Sequence, residues 1–352
     1  MCNGRRINKM ITKRFTFGQT AQAAEYLKQG QLVAFPTETV FGLGAIANNE
    51  RAVASVYQAK GRPSDNPLIV HVCRKEDLFR YSNIANEAQA AIAKKLTDHF
   101  WPGPLTLIVP TKAGVFGPTV TGGLNTVGIR MPDHDFTLAV IRETGFPIVG
   151  PSANLSGKPS PTTVDHVLHD FDGKIAGVLD SQPTHIGVES TVLDISNPEE
   201  LAILRPGAIT LKDLRNALPG QKIIDATQQI DEDSKEHPKA PGMKYRHYSP
   251  HQEVIAISHT KLLELIDSKQ GLSPESAVIA SDEILSHLDD DQLTFSLGAN
   301  EATATHLLFA GLRAFDDNDQ IKRLYVELLA DTEVNTAYRN RLLKAASKKI
   351  ES

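Results

Sequence analysis

Cysteine is nearly absent: Cys2 and Cys73 are the only two in 352 residues. Two thiols cannot lay a disulfide framework, and without a CxxC the usual spacing of a thiolate zinc site or a dithiol redox centre is missing too. A reducing compartment, the cytoplasm, fits that usage. Long apolar runs are also lacking. No stretch of about 18 apolar residues is present to span a bilayer, so no membrane contact is expected. Nor is charge of one sign in excess: 37 Lys and Arg face 42 Asp and Glu, a formal charge of -5. That balance excludes a protein that wraps polyanions with its whole surface, and any nucleic-acid contact must be local. Fixed-period repeats and low-complexity tracts are missing as well.

What is there is unevenly spread. Residues 1–251 carry 27 Lys and Arg against 25 Asp and Glu, whereas 252–352 carry 10 against 17. At roughly 150 residues per domain the length predicts two domains, and the change in charge marks the seam. The first 24 residues hold Arg5, Arg6, Lys9, Lys13 and Arg14 and no acid. They faintly resemble a transit peptide, lack a secretory apolar segment, and read as a ragged cytosolic start. Around 221–249 the chain is polar and without apolar periodicity, as in a linker. A plain tether is Gly-, Ser- or Pro-rich, yet PGMKYRHY packs two aromatics and three residues able to carry positive charge into eight positions. A solvated spacer and a working segment are equally compatible with that composition.

The first block repeats short apolar runs that stop at Pro, Gly, Ser or Thr: LVAF, PLIVHV, LTLIVP, VGIRMP, PIVGPSAN, STVLDIS and LAILRPGA. Such runs predict buried strands. Stretches with helical spacing fall between them at 20–29, 50–59, 86–100, 135–144 and 210–217. The second block alternates likewise: EVIAIS, a helix near 260–268, AVIAS, a helix over 301–315, LYVELL, and a last helix around 336–350. Both blocks are therefore expected to be α/β. The second has neither a GxGxxG nor a GxxxxGK[ST] signature, and nothing in it looks catalytic.

Several motifs carry little. Gly42, Gly44 and Ala47 spell GxGxxA with Asp65 downstream, but PTET separates the glycines from the preceding strand, so close packing at a turn is the better reading. His247 and His251 are four apart with Pro250 between them, which disfavours a helical metal pair. Ser152 and Lys158 sit in a loop rich in Asn, Gly and Pro with no nucleophile elbow.

The loop ends say more when taken together. PTETVFGLG, KGRPSDNPL, VGIRMP, GPSANLSGKPSPT, GVESTV and LRPGAIT place Lys60, Arg62, Asn66, Arg130, Ser152, Asn154, Ser156, Ser160, Glu189, Ser190, Thr191 and Arg205 where loops of an α/β sheet converge. Separate cations, hydroxyls and glycine amides suit an anionic ligand such as a nucleoside triphosphate.

Those stretches, with FPTETVFGLGA, QAKGRPSDNPLIVHV, WPGPLTLIVP, GGLNTVGIRMPDH and the linker APGMKYRHYSP, resemble the threonylcarbamoyl-adenylate synthases in their two-domain form. The match runs in order from about Phe15 to Pro250, and the acidic remainder is similar to the family's C-terminal domain. Phe41 stands where the family often has Tyr. The resemblance implies a YrdC-like twisted open sheet with a concave polar cavity at 12–214, a functional linker or strap at 215–250, and a small Rossmann-like α/β domain at 251–352. It implies a nucleotidyltransferase that joins L-threonine, bicarbonate or CO2, and ATP into L-threonylcarbamoyl-AMP and pyrophosphate for tRNA modification. By that resemblance Thr39, His71, Arg130, Gly150 and Ser190 hold threonine, with Arg130 forking onto its carboxylate. Lys60, Arg62, Asn66, Thr126, Ser152, Ser160, Arg205 and Tyr245 hold ATP, and Lys60 and Arg62 are catalytic. Mg2+ arrives with ATP, and downstream tRNA threonylcarbamoyl-transferase proteins are the expected partners, with at most weak tRNA contact. The rival functions are a YrdC-like double-stranded RNA or tRNA-binding module and a carbamoyl-phosphate-using relative. The latter occurs beside zinc-finger and acylphosphatase-like segments that this sequence lacks.

Overall fold

The computed structural model describes residues 11–64, 66–227, 247–268 and 272–350. Arg5, Arg6 and Lys9 of the basic start and the strap residues Tyr245 and Arg246 lie outside them, whereas Lys13 and Arg14 are described. In chain order the first sheet comprises β1 (Lys13–Phe15), β2 (Val33–Phe35), β3 (Gly42–Ile46), β4 (Ile69–His71), β5 (Leu105–Pro110), β6 (Thr126–Arg130), β7 (Ile148–Val149), β8 (Gly177–Leu179), β9 (Thr191–Asp194), β10 (Leu201–Arg205) and β11 (Ile223–Asp225). They lie side by side as β1-β8-β2-β3-β7-β4-β6-β5-β9-β10-β11, with parallel and antiparallel neighbours mixed. The second sheet comprises β12 (Glu253–Ser258), β13 (Ser276–Ala280), β14 (Thr294–Ser296), β15 (Arg323–Leu328) and β16 (Lys348–Ile350). It is parallel throughout, ordered β14-β13-β15-β12-β16. This is the α/β class with a twisted open first sheet and a small Rossmann-like second one.

Each apolar run named from the sequence contains a strand, and the breakers explain the ends. Helix Glu50–Lys60 starts where the Asn49 side chain accepts the Ala52 N–H at 3.2 Å and stops where Gly61 turns left-handed at φ 62°. That cap delivers Lys60 and Arg62 to the loop that follows. Alternation along β4 sends Val70 into the main core under the helices, while Ile69 and His71 face the other side of the sheet.

Three expectations need adjusting. Gly42 and Gly44 belong to β3 and make no turn: a Cβ on Gly42 would lie 2.6 Å from the Phe35 ring, and one on Gly44 2.7 Å from the Val33 carbonyl. The boundary expected at 214/215 falls inside helix Leu211–Ala217, and β11 pairs in parallel with β10, so the first domain continues to Asp225. The last helix ends at Ala345, after which the chain adds β16 beside β12. No helix among the described residues is long and apolar enough to cross a membrane.

The two domains share one apolar seam. Val40 from the PTET loop and Val188 from the GVES loop, both buried, join the second domain's core beside Tyr248, Phe309 and Leu312. Tyr248 packs its ring on Phe309 at 5.1 Å between centroids.

Candidate active site

Strands β4 and β6 pair in parallel with His71 opposite Arg130, so their last residues stand side by side. β10 runs antiparallel to β9 with Arg205 opposite Val192, which brings Arg205 next to the Glu189–Ser190 loop. The loop after β7 returns across the same face as Gly150, Pro151 and Ser152. Together these segments line a polar pocket that opens to solvent, with about 660 Å³ of empty space when the solvent at its mouth is included. Its walls include Thr37, Thr39, Arg62, His71, Arg130, Gly150, Ser152, Asn154, Lys158, Glu189, Ser190, Arg205, His247 and Tyr248.

Of the residues assigned by resemblance, Thr39, Arg62, His71, Arg130, Gly150, Ser152, Ser190 and Arg205 meet in this one cavity. Others support it from behind. Lys60 is buried and its ammonium donates to the carbonyls of Ser152 and, at 2.6 Å, Asn154; burial, with Arg62 nearby, holds its pKa well below the usual lysine value. Ser160 is buried and donates to Glu189 Oε1 at 2.5 Å. Asn66 is buried with its side-chain oxygen unpartnered. Thr126 stands apart: it begins β6 while Arg130 ends it, a separation of roughly 13 Å at the rise of a strand. Tyr245 lies outside the described residues; Tyr248, further along the same strap, lines the cavity.

The electrostatics are set by burial. Burial, then Arg130, lowers His71 to about 3, so its ring is neutral, and its Nδ1 is buried without a partner. A buried ring nitrogen on a cavity wall without a protein partner is open to a water or a ligand atom. Burial brings Arg205 down to about 10; it stays cationic and donates to the Ser190 carbonyl at 3.1 Å and hydroxyl at 3.0 Å. The Arg130 fork is already engaged, with Gly103 O at 3.2 Å, Thr39 Oγ1 at 3.0 Å and Glu38 at 2.6 Å without an aligned hydrogen bond. Burial alone raises the Glu189 carboxyl, but Arg341 and Arg205 outweigh it and hold it below the usual value.

Sequence reasoning left Thr37, Glu38, Lys158 and Tyr248 without roles at the site. The PTET motif and the strap motif contained the signal for three of them. Lys158 follows Gly157, and nothing local distinguishes it from a surface lysine.

Cations and hydroxyls gathered inside one cavity on an α/β sheet have the chemistry of an enzyme site suited to a small anion. A family profile described as "Telomere recombination" matches residues 25–207, and one described as "Threonylcarbamoyl-AMP synthase, C-terminal domain" matches 209–347. The threonylcarbamoyl-AMP synthase of Bacillus subtilis (strain 168) is 46% identical over 94% of this chain and 94% of its own length. That of Pyrococcus abyssi is 41% identical over 93% and 94%. A solved structure described as P. abyssi Sua5 complexed with L-threonine superposes with a TM-score of 0.85 at 38% identity, covering 97% of this chain and 98% of that one. A shorter threonylcarbamoyl-AMP synthase from Vibrio vulnificus is 34% identical over 53% of this chain and 97% of its own. The chain belongs to the threonylcarbamoyl-AMP synthase family.

Proposed function

We propose that this enzyme condenses L-threonine, CO2 or bicarbonate, and ATP into L-threonylcarbamoyl-AMP and pyrophosphate in the cytoplasm. The product feeds the proteins that place the threonylcarbamoyl group on tRNA. The observation that carries this reading is the meeting of both substrate sides in one cavity: Thr39, His71, Arg130 and Ser190 lie within it beside Arg62, Ser152 and Arg205. The solved relative bound to L-threonine supports the amino-acid side.

Chemically, the threonine nitrogen attacks CO2 and loses a proton, giving a carbamate. A carbamate oxygen then attacks the α-phosphorus, and the bond to the β-phosphate breaks with loss of pyrophosphate. Two anions must be brought together, so positioning and fixed positive charge do the catalysis. Arg62 and Arg205 face the triphosphate. Neutral His71, with its unpartnered Nδ1, accepts a hydrogen bond from threonine. Thr39, set by Arg130, meets the substrate hydroxyl, and a site built to hydrogen-bond that group rejects amino acids lacking it. Lys60 acts through the Ser152 and Asn154 carbonyls it holds. The cavity's carboxylate, Glu189, is taken up by Ser160 and Arg341, so magnesium enters as part of the substrate, Mg·ATP. The cations converge inside a cavity instead of spreading over a face, which favours a small anion over an RNA duplex.

The test is pyrophosphate release from ATP with threonine and bicarbonate supplied together and singly, with the adenylate identified by mass. Release that needs both supports the reading, and release that ignores either one overturns it.

A further inference from the structure

Two arginines of the second domain end inside the first. Arg313, the last residue of helix Glu301–Arg313, is buried and donates to the Pro159 carbonyl through Nε at 3.0 Å and Nη2 at 2.7 Å. The same Nη2 reaches Asp170 Oδ2 at 2.8 Å, an oxygen that also accepts the Leu155 N–H at 3.1 Å. Arg341, from helix Thr336–Ala345, is fully buried. Its Nε donates to Glu189 Oε2 at 2.9 Å, its Nη1 to the Pro206 carbonyl at 2.7 Å and its Nη2 to the Glu189 carbonyl at 3.3 Å.

The two grips converge. Arg313 holds the carbonyl immediately before Ser160, and Arg341 holds the carboxylate that accepts the Ser160 hydroxyl. Arg341 also holds the carbonyl immediately after Arg205. On the threonine side, Arg341 reaches only the Glu189 carbonyl immediately before Ser190, at 3.3 Å, and neither arginine bonds Thr39, His71 or Arg130. A guanidinium presents several donors in a rigid plane, so one side chain fixes a carboxylate and two carbonyls together. Asp170 and Glu189 are buried, and without the arginines each loses its strongest cationic partner.

We infer that Arg313 and Arg341 are positioning residues that assemble the nucleotide half of the cavity, around Ser160 and Arg205, and bond none of Thr39, His71 and Arg130 on the threonine side. The inference rests on the assignment of Ser160 and Arg205 to ATP under the proposed function. The second domain is then a structural part of the ATP site, besides seating Tyr248 of the strap on Phe309.

The experiment titrates full-length protein with magnesium and a non-hydrolysable ATP analogue, and separately with L-threonine, by calorimetry. In Arg341→Met and Arg313→Met, analogue affinity falls by about tenfold or more, one lost charge-assisted contact, while threonine affinity stays within about threefold. Arg341→Lys lies between them and the parent, because an ammonium keeps charge beside Glu189 without also holding Pro206. Arg323→Ala, which removes an exposed ion pair with Glu253 in the same domain, matches the parent. Equal losses for both ligands, or unchanged analogue affinity in a folded Met variant, overturn the inference. Should the single Met variants fail to fold, Glu189→Gln with Arg341→Met removes the unpaired buried charge and restores folding; full analogue affinity in that double variant also overturns it. A parent that binds neither ligand sinks the functional reading instead.

Discussion

Glu38 and Arg130 approach to 2.6 Å in a buried ion pair, behind the wall that Arg130 forms. The same guanidinium is donated to Thr39 and Gly103. Arg130 therefore sets Thr39 as much as it meets a carboxylate. Arg130→Lys keeps one charge but cannot hold three partners at once, and steady-state kinetics should show a threonine KM raised by about tenfold with the ATP KM within about threefold. An equal rise for both substrates would place Arg130 on the phosphates or make it purely structural.

Arg62→Ala and Arg205→Ala should each slow adenylate formation by about a hundredfold or more, the effect of removing one preorganised donor, about 3 kcal/mol. Thermal melts establish that the variants are folded. Turnover within about threefold of the parent in both would remove them from the phosphate side.

Gly150→Ala tests how tightly the cavity is packed beside His71, on the side proposed for threonine. A Cβ there would sit 2.4 Å from Phe35 Cζ and 2.8 Å from His71, and those two rings already meet edge to face at 5.2 Å. Overpacking of this kind costs about 1–3 kcal/mol. The melting temperature should fall and threonine binding weaken; a variant with parent stability and KM would show that the rings yield freely.

Acid should destabilise the fold through buried imidazoles. Burial lowers His71 to about 3 and His247 to about 4, from an ordinary 6.5. Below pH 6.5 the unfolded chain takes up protons that the folded one refuses, so stability falls as pH drops from 6.5 toward those values and is fully present above 6.5. Melting temperatures measured between pH 7.5 and 5 should decline, and less steeply in His71→Asn. A slope unchanged by that substitution would count against the neutral, buried ring.

Tyr248 packs on Phe309, and burial lifts its hydroxyl to about 12. Tyr248→Ala should cost about 3–5 kcal/mol in stability along with synthesis, as large aromatic truncations do. Tyr248→Phe should melt like the parent, so any change in its kinetics reports the hydroxyl alone. Parent stability in the Ala variant would mean the strap is only lightly seated.

Much of the architecture was legible because its signals are local. Apolar runs such as Leu105–Pro110 end at breakers, and the helix after Asn49 announces its own cap. The glycines of β3 look like turn residues in the sequence because the reason for them lies across the sheet: Gly42 is the register partner of Phe35, whose ring occupies the space of the missing Cβ. The cavity wall was readable from loop ends, since breakers and polar residues cluster there. The duties of Lys60, Glu38 and Arg341 were not. Their partners are remote in sequence, 152 positions away for Arg341 and Glu189, and no spacing pattern encodes such a pairing.

Val40 and Val188 were built for a neighbour. Each is buried in one cluster with the second domain's Phe309 and Leu312. Charge composition divides this chain neatly near residue 251, yet a cut there would part Val40, on the cavity wall, and Val188 from the second-domain residues that share their cluster. The two halves are thus not exchangeable modules: a chimera that grafts a foreign second half must reproduce the relief of that apolar surface, or the PTET and GVES loops lose their seat before any substrate arrives.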